Sequence, residues 1–101
     1  MPNKSKLPDL LLKLNAAVSK GRLRFSHHAR ERMLERDLIR LDVETVLKNG
    51  FHEKRKDKFD EEFESWNYAV RGITIDNRSL RIIVSFEQPN FIVVTAIDLE
   101  R

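Results

Sequence analysis

An α+β fold is predicted by two patterns: apolar residues recur at helical spacing through the first half of the chain and alternate with period two through the second. Asp, Asn and Pro between the alternating runs supply a third observation, because such residues close turns between antiparallel strands. The expected architecture is N-terminal helices packed on a C-terminal antiparallel β-sheet of three to four strands. A single domain spans 1–101, with a disordered tail at 1–6, a helical part at 7–49 and a strand meander at 51–98.

The first helix starts at Pro8-Asp9 and carries Leu7, Leu10, Leu11, Leu14, Ala17 and Val18 at helical spacing as far as Gly21. Arg22-Leu23-Arg24-Phe25 is a short extended stretch, after which Ser26 serves as the N-cap of a second helix running to about Arg36. Asp42 caps a third helix that buries Val43, Val46 and Leu47 and closes on Asn49-Gly50 as a left-handed C-cap. Phe51 to about Lys56 is a weak strand, and Trp66 to Arg71 alternates clearly. Leu80, Ile82, Val84 and Phe86 share one face of the next strand, opposite Arg81, Ile83 and Ser85. The last run, Phe91 to Ile97, is apolar on both faces, which predicts a central strand covered on both sides.

With 19 basic and 16 acidic side chains the net charge is only +3, so the distribution of charge matters more than its sum. Acids cluster at Asp60-Glu61-Glu62 and Glu64, and bases gather in 20–40 and 54–58, which predicts a basic face opposite an acidic loop. Such a face suits nucleic acid or an acidic protein. The chain has no cysteine, which removes disulfides and thiolate metal sites, and no run of membrane-spanning length; the expectation is a soluble protein of the cytoplasm. His27, His28 and His52 lack a ligand-spaced pair, so no metal is expected, and no cofactor either.

The run Ser26 to Arg36 carries the sharpest chemical signal. His28, Arg32 and Arg36 recur every four residues, and each step of four turns only about 40° around a helix, so they form one ridge. A titratable imidazole beside two permanent cations suits a phosphodiester, which needs proton transfer and charge neutralisation at one place. The plainer reading pairs these arginines with Glu31, Glu35 or the acidic loop as ordinary surface contacts. His28 near a helix N-terminus is either a neutral general base or a hydrogen-bonded structural residue. Lys54, Lys56 and Lys58 alternate with Arg55, a row that either tracks a nucleic-acid backbone or protects a sheet edge. Trp66 and Tyr68 share one face of their strand, for stacking on a base or for the core.

The order of three helices and a strand meander, with H-x-x-x-R-M-x-x-R spelled by His28, Arg32, Met33 and Arg36 and a final strand through Val93-Val94-Thr95, resembles a family of small prokaryotic domains without an assigned function. That group is similar in turn to the MqsR and RelE/ParE toxins of type II toxin-antitoxin systems. The MqsR likeness rests on Lys20 to Phe25, on Trp66-Asn67-Tyr68 and on Ile83-Val84-Ser85-Phe86-Glu87. The resemblance implies a RelE/MqsR-like fold and a metal-independent endoribonuclease that cleaves mRNA, restrained by a cognate antitoxin and acting with or without the ribosome. It would use His28, Arg32, Arg36, Lys54 and Tyr68 in catalysis and Arg30, Lys56, Lys58, Arg71 and Arg81 to hold substrate. Where MqsR-like chains carry a lysine after V-S-F, this chain has Glu87-Gln88. The alternative is a non-catalytic adaptor of the same fold that binds nucleic acid or protein.

Overall fold

A computed structural model describes residues 5–100, so residues 1–4 of the expected tail lie outside the described part. Three helices, α1 (Leu10–Ser19), α2 (His27–Glu35) and α3 (Arg40–Asn49), accompany six strands: β1 (Leu23–Phe25), β2 (Phe51–His52), β3 (Lys58–Asp60), β4 (Ser65–Ile73), β5 (Ser79–Glu87) and β6 (Asn90–Asp98). They form one mixed sheet in the order β1-β6-β5-β4-β2, with β3 also pairing with β4. The fold is α+β as expected, but the sheet has six strands rather than three or four. The stretch at 22–25 enters it by pairing in parallel with β6, Leu23 opposite Phe91.

The helices cover one face. Leu10, Leu14, Ala29, Met33, Val43, Val46 and Leu47 share a core with Val70, Leu80, Ile82, Val84, Phe91 and Val93, so the alternation of β4 and β5 sorts their side chains as predicted. The Ser26 hydroxyl accepts from the Ala29 amide at 3.0 Å and donates to the Val94 carbonyl at 3.0 Å, fixing the start of α2 to the sheet.

Four local expectations need correction. Asp42 is not the N-cap of α3: the helix begins earlier, and the Asp42 carboxylate reaches back to accept from the Ile39 amide at 2.9 Å. Gly50 is extended (φ −80°, ψ −168°), not left-handed. Glycine is needed there for close approach, because a Cβ would run into the carbonyl oxygen of Arg71 and lie 2.5 Å from that of Val46. The weak strand at 51–56 stops at His52 and turns into one 3-10 turn, Lys54–Lys56. Finally, β6 is interior to the sheet but covered on one side only, and Ile97 remains 38% exposed.

Candidate functional site

Because the helices occupy one side, the other face of the sheet is open. Strand alternation puts Asn67 and Arg71 of β4 and Arg81, Ile83 and Ser85 of β5 on it, with Arg71 paired to Arg81 and Asn67 to Ser85 across the ladder. Two arginines directly opposite each other repel and need an anion between or above them. Glu53 meets that need. Its amide continues the pairing of β2 by donating to the Ala69 carbonyl at 2.8 Å, which directs the side chain to the same face. The carboxylate, 4% exposed, accepts from Nε and Nη2 of Arg81 at 2.7 and 3.1 Å and lies 3.5 Å from Arg71 and 3.9 Å from Arg55. Hydrogen bonds from Arg81, reinforced by the charges of Arg81, Arg71 and Arg55, hold its pKa below the usual glutamate value despite burial, and the same pair raises that of Arg81.

One carboxylate therefore faces three guanidinium groups, and lysines add to the excess. Lys56, Lys58 and Arg81 line a cleft of about 290 Å³ together with Asn67, Ile83 and Ile97. A surplus of fixed positive charge over a partly apolar floor can neutralise a phosphodiester. Four of the five substrate-holding residues expected from sequence, Lys56, Lys58, Arg71 and Arg81, thus meet on the open face. Arg30 does not join them, lying on α2 beside a groove with Phe25, Met33, Leu34, Leu38, Ile39 and Arg40.

The expected catalytic set is spread over other parts of the fold. His28 is exposed on the first turn of α2, and Arg32 pairs with Glu35 at 2.5 Å on the surface of the same helix. Arg36 ends α2, where its carbonyl accepts from Arg78 at 2.8 Å. Tyr68 is 4% exposed on the helix-covered face, its hydroxyl accepting from the Leu7 amide at 2.7 Å. The 3-10 turn breaks the lysine row: Lys54 lines a separate cleft with His52 and residues 6–12, away from Lys56 and Lys58.

That turn is built around two acids that the basic run concealed. After Glu53, the fully buried Asp57 carboxylate accepts from the Ala69 amide at 2.9 Å and sits 2.7 Å from His52 Nε2 and 3.0 Å from Lys6 Nζ. Lone carboxylates at spacing four inside a run of lysines and arginines were the available signal, since burial of each requires partners nearby. Arg78 was also missed. It caps α2 through the Arg36 and Asp37 carbonyls and approaches Asp42 at 3.5 Å. Among the described residues no group of three or more His, Asp or Glu is arranged to hold a metal, and no helix is long and apolar enough to cross a membrane.

An α+β domain with helices on one face and a cationic open sheet on the other is the class these observations define. The family described as a domain of unknown function, DUF4258, matches residues 25–98, and the chain belongs to it. The match takes in α2, α3, five of the six strands and part of β1, so it includes every residue of the Glu53 cluster. No curated protein and no solved structure matches the chain.

Proposed function

We propose that the chain binds RNA across the open face of its sheet and cleaves it without a metal, as the toxin of a type II toxin-antitoxin pair. The observation that carries this reading is the convergence of Arg55, Arg71 and Arg81 on the carboxylate of Glu53, with Lys56 and Lys58 lining the cleft beside Arg81. Arg81 is held by two hydrogen bonds, so it keeps its place without an ordering cost when an anion arrives. In cleavage, the ribose 2′-oxygen gives its proton to a solvent water and attacks the adjacent phosphorus, the bond to the 5′-oxygen breaks, and a 2′,3′-cyclic phosphate remains. The cations stabilise the charge that builds on the phosphoryl oxygens. A protonated lysine amine of the cleft donates to the departing 5′-oxygen. Glu53 stays ionised and positions Arg81; its depressed pKa makes it a weak base. Toxicity would be restrained by a partner protein covering this face, and the ribosome is a further candidate partner.

The test uses purified protein and a single-stranded RNA with chelator present. Binding should fall steeply with salt, and Lys56→Ala and Lys58→Ala should each lower the slope of log affinity against log salt by about 0.7. Both lysines are exposed, so thermal stability should not change. New RNA ends bearing cyclic phosphate support cleavage. Salt-steep binding with no product over hours supports the non-catalytic adaptor instead, and absence of binding at low salt overturns the reading.

A further inference from the structure

A second cleft, about 510 Å³, adjoins the cationic one on the open face, and Asn67 lines both. Its walls are chemically different. Phe63, Phe86, Ile92 and Val94 supply apolar surface, Ser65 and Ser85 hydroxyls, and Asp60 and Glu87 carboxylates. Register fixes the relation between the two. Lys58 lies opposite Asn67 and Asp60 opposite Ser65, so the lysine and the aspartate are two residues apart along the same strand, roughly 7 Å.

We propose that this second cleft is a nucleobase subsite that selects guanine, its phosphate lying in the neighbouring cationic cleft. The inference rests on the RNA reading and adds to it which base is read. Carboxylates repel phosphate, so a bound strand favours placing a base rather than its backbone in this cleft. Phe63 is 73% exposed, an unfavourable position for a phenyl ring in water and a ready one for stacking on a base. The Asp60 carboxylate accepts from the amides of Glu62 and Phe63 at 3.0 and 3.2 Å, which holds the turn that presents the ring.

Glu87 is exposed at the end of β5, and no ion pair is formed with it among the described residues. An ionised carboxylate only accepts hydrogen bonds. Guanine offers it two parallel donors, N1–H and the N2 amino group, whereas adenine and cytosine offer one amino group each. Uracil presents N3–H between two carbonyl oxygens that a carboxylate repels. A two-oxygen acceptor beside a stacking ring therefore discriminates for guanine.

The experiment titrates the full chain with guanosine 3′-monophosphate, inosine 3′-monophosphate and cytidine 3′-monophosphate by calorimetry. Guanosine phosphate should bind about tenfold or more tightly than cytidine phosphate, with inosine phosphate, which lacks the N2 amino group, between them. Glu87→Gln should collapse the guanosine preference, and Phe63→Ala should weaken guanosine phosphate several-fold; both residues are exposed, so each variant should melt like the parent. Equal affinity for the three nucleotides, or a preference that survives Glu87→Gln, overturns the subsite. If single-stranded RNA still binds in a salt-dependent way while base preference is absent, the subsite falls and the RNA reading stands. If neither RNA nor any nucleotide binds, both fall.

Discussion

Replacing Glu53 with glutamine tests the centre of the open face with opposite effects on stability and binding. The parent carboxylate is 4% exposed and its partner Arg81 17%, so the amide would sit where solvent compensates little. Gln keeps one acceptor oxygen for Arg81 but turns an NH2 group toward a guanidinium, removing one of two charge-assisted hydrogen bonds. Such a bond contributes about 1.5–3 kcal/mol, and the 3.9 Å contact to the exposed Arg55 adds nothing measurable. A loss of about 2 kcal/mol at pH 7 is expected, which for a domain of this size lowers Tm by roughly 8–16 °C. The pH dependence fixes the cause. The folded pKa of Glu53 is depressed, so its stabilisation is fully present above the unfolded glutamate value and is lost as pH falls through the folded pKa. Urea titrations followed by circular dichroism should therefore show the gap between parent and variant narrowing below about pH 4. At pH 7 the same variant removes a negative charge from the open face and should bind RNA more tightly. A variant as stable as the parent at pH 7, a gap that does not change with pH, or RNA affinity that falls would refute the reasoning.

Gly50→Ala forces a Cβ against two backbone carbonyl oxygens that cannot move aside, and a loss of about 3 kcal/mol or more is expected in urea titration. Asp57→Asn keeps an acceptor for the Ala69 amide but removes the charge facing His52 and Lys6, so a loss of about 1.5–3 kcal/mol should appear by the same measurement. Arg32→Ala breaks only a surface pair with Glu35 and should shift stability by less than about 0.5 kcal/mol. Loss of RNA cleavage in that variant at unchanged stability would transfer the chemistry to α2.

Periodicity alone determined the helices and the faces of β4 and β5, because a side chain's direction in a helix or strand is set by local backbone geometry. Ser26 as the cap of α2 was readable for the same reason: its hydroxyl meets the amide three residues on. The parallel partner of Leu23–Phe25 was not readable, since three residues carry no record of a strand sixty-eight positions away. Nor was the role of Gly50, whose crowding comes in part from Arg71, twenty-one residues further along the chain on β4.

The candidate site divides in the same way. Sequence supplied the basic residues, and it assembled them by helical spacing into a ridge of His28, Arg32 and Arg36 on α2. Only the tertiary structure decided which cations meet. Lys56, Lys58, Arg71 and Arg81 come from a turn and three strands: register sets Arg71 beside Arg81, the buried Glu53 pairs with both, and Lys56 and Lys58 line the adjoining cleft. A carboxylate cannot be buried unpaired, so it draws distant arginines to itself. That requirement acts through space and leaves no period along the chain.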